Sequence, residues 1–138
     1  MPNDPRICVI DDDDAMRDSL SFLLDSAELG ADTYDSAIAF LQALPGLDPA
    51  CIITDVRMPV MDGITLLKRI KARGLRTPSL IFITGFADIR LRDAYDLGAA
   101  ALLEKPVECD FLIDRVRQML SDPLKRWKNN WISQPLVS

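Results

Sequence analysis

The stretch ICVIDDDDAMRDSL, Ile7–Leu20, changes character twice within a few turns of chain. Ile7, Cys8, Val9 and Ile10 are apolar without alternation, as a strand buried on both faces should be. Four carboxylates follow, Asp11 to Asp14. Beyond them Met16, Leu20, Leu23, Leu24 and Ala27 recur at helical spacing, with Gly30 as the expected stop. A buried strand that runs through an acidic cluster into an amphipathic helix is the opening of an α/β unit. The cluster itself needs an explanation. Like charges repel, and carboxylates beside low-dielectric protein cost free energy unless they are compensated. Asp13 and Asp14 suit a helix start, where acids cap free amides and complement the macrodipole. Asp11 and Asp12 stand at the strand end, where they are either candidates for chemistry or simply strand-end and helix-entry carboxylates.

The pattern repeats along the chain. Arg6 to Ile10 is the first strand, and Ala31 to Tyr34 reads as a shorter second one. Ser36 is placed to cap a helix through Leu44, ended by Pro45-Gly46. Cys51 to Thr54 runs as a strand into Asp55, and the loop VRMPVMDG follows. Ile64 to Arg73 has helical spacing. Ser79 to Thr84 is a strand, Asp88 caps a helix through Leu97, Ala99 to Leu103 is the fifth strand, and Glu108 to Leu120 is the last core helix. Regular β/α alternation predicts a parallel sheet with helices on both faces, joined by right-handed crossovers.

Composition narrows the function. The 138 residues suit one domain, and 49% hydrophobic against 27% charged residues describes a folded chain rather than a disordered one. The formal net charge of −5 argues against direct nucleic-acid binding by this chain, because phosphate contacts need Lys and Arg. There is no histidine, which excludes histidine metal sites, Ser-His-Asp triads and a phosphohistidine on this chain. Cys8, Cys51 and Cys109 form no Cys-x-x-Cys, and they read as reduced thiols of a cytoplasmic protein. Met1 to Arg6 is polar and no apolar run approaches the roughly 18 residues of a membrane span.

In open α/β sheets ligands bind beyond the carboxyl ends of the strands. There this chain offers Asp11-Asp12, Asp55, Thr84 and Lys105. Each alone is a weak signal; all of them in order, each at a strand end, form a specific one. Carboxylate oxygens suit Mg2+, which is bound through one or two carboxylates together with phosphate oxygens. An ammonium only donates hydrogen bonds, so Lys105 needs an anion. A metal and a phosphoryl group together fit the set.

The segments VIDDDDAMRDSL, IITDVRMPVMDG, FITGFAD and AALLEKP resemble the receiver domain of bacterial two-component response regulators, the CheY-like fold, and most closely its FixJ-like branch. The resemblance runs from Arg6 to about Leu120. It implies a doubly wound five-stranded sheet in the order 2-1-3-4-5. It implies Asp55 as phosphoacceptor, Asp11 and Asp12 as the magnesium-binding pair, and the backbone carbonyl of Arg57 as a further metal ligand. Lys105 would pair with the phosphoryl group and be joined to Pro106 by a cis bond, Thr84 would be the switch hydroxyl, and Pro59 and Gly63 match loop positions after the acceptor. The implied donor is a sensor histidine kinase. The implied output surface is the helix from Asp88, the strand from Ala99 and the helix from Glu108, a face that also suits homodimerisation.

Two positions depart from the family pattern. Leu102 stands where Tyr or Phe usually accompanies the hydroxyl shift, and Val107 follows Lys-Pro where Phe is frequent. They leave open a second reading, a receiver-fold interaction module that is not phosphorylated. A dehalogenase-type phosphohydrolase would need Thr or Val where Ala15 stands, and an FMN module would need a phosphate loop free of the four carboxylates. The receiver domain is expected over residues 1–121. Residues 122–138 are expected to be a tail or the start of a linker, with a short helix opening at Asp122-Pro123 that sets Leu124, Trp127 and Trp131 on one face.

Overall fold

The computed structural model describes residues 7–46, 49–73, 79–85, 99, 101–105 and 107–121. Five parallel strands lie in the order β2-β1-β3-β4-β5: Ile7–Ile10 (β1), Ala31–Tyr34 (β2), Cys51–Asp55 (β3), Ser79–Thr84 (β4) and Ala101–Glu104 (β5). The helices are Asp14–Ser26 (α1), Ala37–Ala43 (α2), Gly63–Ala72 (α3) and Cys109–Ser121 (α4), and a 3-10 turn covers Leu44–Gly46. The helix expected from Asp88 to Leu97, the Lys105-Pro106 bond geometry and the tail with Trp127 and Trp131 lie outside the described residues.

The period of two along each strand explains the two layers. Cys8, Ile10, Ile52, Leu80, Phe82 and Leu102 face one way and pack with Phe40 and Leu41 of α2 and Leu66, Leu67 and Ile70 of α3. Ile7, Val9, Ile53, Ile81, Ile83 and Leu103 face the other way, against Leu20 and Leu24 of α1 and Leu112, Val116 and Met119 of α4. Unbroken apolar strands are therefore consistent with burial on both sides. The register pairs Ile10 with Thr54 and Thr54 with Phe82, so the ends of β1, β3 and β4 come level at one rim. Burial inside the sheet pushes the Cys51 thiol up to about 12, which makes it an unreactive core group.

Helix ends differ in detail from the sequence-based expectation. Ser36 caps α2 as expected, its hydroxyl accepting from Ala39 N–H at 3.0 Å. Gly30 is not the stop of α1. The chain turns left-handed at Glu28 (φ 64°), and Leu29 N–H reaches Leu24 O at 2.8 Å while Glu28 N–H reaches Asp25 O at 2.9 Å. That is a Schellman arrangement closed by a glutamate, and the apolar anchor of Leu29 against the core accounts for it. At the other end the two helix-start acids divide their work. Asp13 is the cap, accepting from Ala15 N–H at 2.9 Å and Met16 N–H at 3.3 Å, whereas Asp14 is the first helical residue and pairs with Arg17.

Asp13→Ala should therefore cost about 1 kcal/mol in urea unfolding, and Asp14→Ala, an exposed position, only a few tenths. Equal losses in the two variants would contradict this division.

Candidate functional site

The rim residues converge through backbone constraints as much as through their side chains. Asp11 follows β1; its N–H donates to Tyr34 O at 3.1 Å and its Oδ1 accepts from Asp13 N–H at 2.9 Å. Asp55 ends β3. Its Oδ1 accepts from Arg57 N–H at 3.1 Å, and its Oδ2 accepts from Lys105 Nζ at 3.1 Å. Lys105 is in turn tied to β4, since its N–H donates to Thr84 O at 2.7 Å. Thr84 is fully buried beside this link. The five side-chain positions expected from sequence thus lie at one end of the sheet.

One oxygen from each of Asp11, Asp12 and Asp55 lies within 4.8 Å of the others. Asp11 and Asp55 are buried and Asp12 is exposed, so the cluster opens to solvent on the Asp12 side. Burial pushes the Asp11 carboxyl above the usual carboxylate range. The N–H of Asp13 opposes this, Asp55 adds to it, Lys105 opposes it and Asp12 adds to it. Three carboxylates and one ammonium carry −3 + 1 = −2 formal charges, equal and opposite to one divalent cation. The all-oxygen donor set fits magnesium, which takes hard oxygen ligands and keeps several of its waters, and the exposed Asp12 side leaves room for them.

A model of the response regulator receiver domain matches residues 7–117. The chain belongs to that family. FixJ of Bradyrhizobium diazoefficiens, a transcriptional regulatory protein, is 48% identical over 134 residues, which cover 96% of this chain and 65% of that protein. FixJ of Azorhizobium caulinodans is 48% identical over 121 residues, covering 87% of this chain and 57% of its own length. The crystal structure of full-length FixJ from B. japonicum superposes with a TM-score of 0.79 at 47% identity, over 91% of this chain and 60% of that one. This receiver thus spans less than two thirds of the length of these relatives. Magnesium use is typical of the family, and the acidic cluster is in place for it.

Three residues of this receiver that shape the site went unread in the sequence, or were read as less than they are. Thr54 donates its hydroxyl to Asp55 O at 3.1 Å. Arg17 reaches back to the carbonyl of Asp11. Gly63, read only as a loop position, opens α3 directly against Asp55. A Cβ there would sit 2.5 Å from Asp55 O and 2.7 Å from the Phe82 ring, so no side chain fits without moving the strand end. The loop between Asp55 and Gly63 is tight as well. Val60 is 90% exposed at φ 71°, and Met61 N–H closes on Pro59 O at 2.7 Å, a strained three-residue turn for a β-branched side chain. The signal for Gly63 was its place beside the Asp62 cap, which accepts from Thr65 N–H at 2.8 Å.

Because the folded Asp11 pKa lies above its ordinary value, the folded state holds the proton longer than the unfolded chain. Stability from this group falls as pH rises through that window, and the cost is fully present at neutral pH. Asp11→Asn should move the urea midpoint of the metal-free receiver upward at pH 7, with the gain vanishing below the ordinary carboxylate range. A lowered midpoint at pH 7 would contradict the assignment.

Proposed function

We propose that this receiver accepts a phosphoryl group on Asp55 from a sensor histidine kinase and passes the change to an output as part of a FixJ-like transcriptional regulator. The observation that carries the proposal is the Lys105–Asp55 ion pair facing the Asp11–Asp12 pair across one sheet end. It is an anion acceptor, a nucleophile and a cation seat in a single constellation. The likeness to FixJ over most of the chain supports the regulatory setting.

In the proposed step an Asp55 oxygen forms a bond to phosphorus while the phosphorus–nitrogen bond to the kinase imidazole breaks and the electron pair stays on that nitrogen. A carboxylate is a weak nucleophile, so positioning and charge neutralisation must supply the rate. Asp11, Asp12, Asp55 and the Arg57 carbonyl would hold Mg2+, which when bound offsets charge between the carboxylate and the phosphoryl oxygens. Arg57 N–H keeps the Asp55 carboxylate turned to its rotamer. Lys105 follows the transferred group and balances its charge. The product is an acyl phosphate open to hydrolysis, so the receiver assists its own reset without being an enzyme in the ordinary sense.

The phosphoryl group adds roughly −1.5 to −2 charges at the strand ends. Thr84 would donate to it, and through the Thr84 O to Lys105 N–H link the movement would reach β5 and α4. Leu102, fully buried against the sheet, would repack in place of a rotating aromatic. The repacked surface of residues 88–97, β5 and α4 would serve output and homodimerisation. DNA contact would fall to a domain outside this acidic chain, with residues 1–121 as the receiver and 122–138 as its tail or linker. A cytoplasmic setting follows from the proposed kinase partner; among the described residues no helix is long and apolar enough to cross a membrane.

The test is intact-mass analysis after incubation with acetyl phosphate and magnesium. One phosphoryl adduct is expected on the wild type and none on Asp55→Asn or in EDTA. Lys105→Ala should slow adduct formation on the order of 100-fold. Magnesium binding without any adduct on the wild type would favour the unphosphorylated interaction module instead.

A further inference from the structure

Arg17 lies one turn into α1, outside the residues that the proposed reaction uses. Its guanidinium is forked. Nη1 donates to the backbone carbonyl of Asp11 at 2.8 Å, and Nη2 pairs with the Asp14 carboxylate. The side chain is 17% exposed, low for a helix-surface arginine, and its guanidinium reaches back to the β1–α1 turn. We infer that Arg17 is a positioning residue for the magnesium site: its fork clamps the end of β1 to the first turn of α1 and so keeps the Asp11 and Asp12 carboxylates aimed at Asp55. The inference rests on the reading of Asp11, Asp12 and Asp55 as a cation site.

The geometry supplies the reasons. Asp11 is the hinge between strand and helix, and its backbone no longer belongs to the β1–β3 ladder, which ends at the Ile10–Thr54 pair. Its N–H is held by Tyr34 O and its Oδ1 by Asp13 N–H, both short-range or edge-strand contacts. The carbonyl is held from the side by Arg17. A planar fork meeting two acceptors fixes both distance and angle, which a lysine ammonium at one acceptor does not. Without the clamp the Asp11 carbonyl loses its Arg17 partner, and rotation of the Asp11–Asp12 peptide would swing Asp12 away from the other two oxygens.

Charge and geometry pull in opposite directions here, which makes the inference decidable. A positive guanidinium near the cluster repels a divalent cation, so if Arg17 acted through its charge alone, removing it would tighten magnesium binding. If it acts by positioning, removing it weakens binding. Groups that orient metal ligands typically contribute 10- to 100-fold in affinity.

The experiment titrates magnesium chloride calorimetrically into the wild type, Arg17→Gln and Arg17→Lys, with a thermal melt of each metal-free protein recorded alongside. Arg17→Gln should raise the magnesium Kd about 10-fold, and Arg17→Lys, which keeps the charge and one contact, should fall between it and the wild type. An unchanged Kd with a lowered melting temperature would overturn the inference and leave Arg17 a helix staple. A lowered Kd would overturn it in favour of a charge effect. If Arg17→Gln does not fold, Arg17→Lys alone decides, since an unchanged Kd there removes the clamp. If the wild type itself binds no magnesium, the cation-site reading fails first, and that outcome is distinct from the others.

Discussion

Asp11, Asp12 and Asp55 hold oxygens within 4.8 Å of one another at a partly buried sheet end, and Lys105 is the ammonium that meets them. Repulsion of that kind opposes folding, and burial has already lifted Asp11 from its usual range. The surrounding structure is a set of devices for holding the arrangement. Thr54 donates to the Asp55 carbonyl and Gly63 leaves room for it, Tyr34 and Arg17 hold the Asp11 backbone, and Thr84 holds the backbone that carries Lys105. A residual −2 charge held in place is a donor set that fits a divalent cation.

The sheet makes this affordable in free energy. Strands buried on both faces by two separate apolar layers do not shift register easily, because a one-residue slip would turn each inward set outward. The acidic residues therefore sit where the ladder ends, anchored by a core whose buried polar residues, among those described, are Asp11, Thr54, Asp55 and Thr84 at the rim. The parallel arrangement also sets all strand ends at one side, which is why residues far apart in sequence, Asp55 and Lys105, meet at 3.1 Å.

Much of this was legible in the chain itself. Unbroken apolar runs alternating with helical spacing gave the parallel sheet, and polar residues at each run's carboxyl end gave the rim. The strand order came from the family resemblance and is the order observed. What stayed hidden were contacts that depend on three dimensions rather than on pattern. Gly30 looked like the stop of α1, yet the anchor of Leu29 moved the left-handed residue to Glu28. Asp13 and Asp14 are identical side chains, and only the extended backbone at Asp13 and its bonds from Ala15 and Met16 N–H show that Asp13 caps. Gly63 looked like a loop residue until the nearness of Asp55 and Phe82 explained it, and nothing in the helical spacing of α1 pointed to the contact of Arg17 with the Asp11 carbonyl.

If the rim is a charge-imbalanced cation site, magnesium must stabilise the fold by binding there. Urea unfolding of the wild-type receiver across a magnesium series at constant ionic strength measures this. Stability should rise once magnesium exceeds its Kd, by about 1.4 kcal/mol for each further tenfold, with sodium giving no such rise and Asp55→Asn showing a blunted one. A wild-type midpoint that does not respond to magnesium would contradict the account.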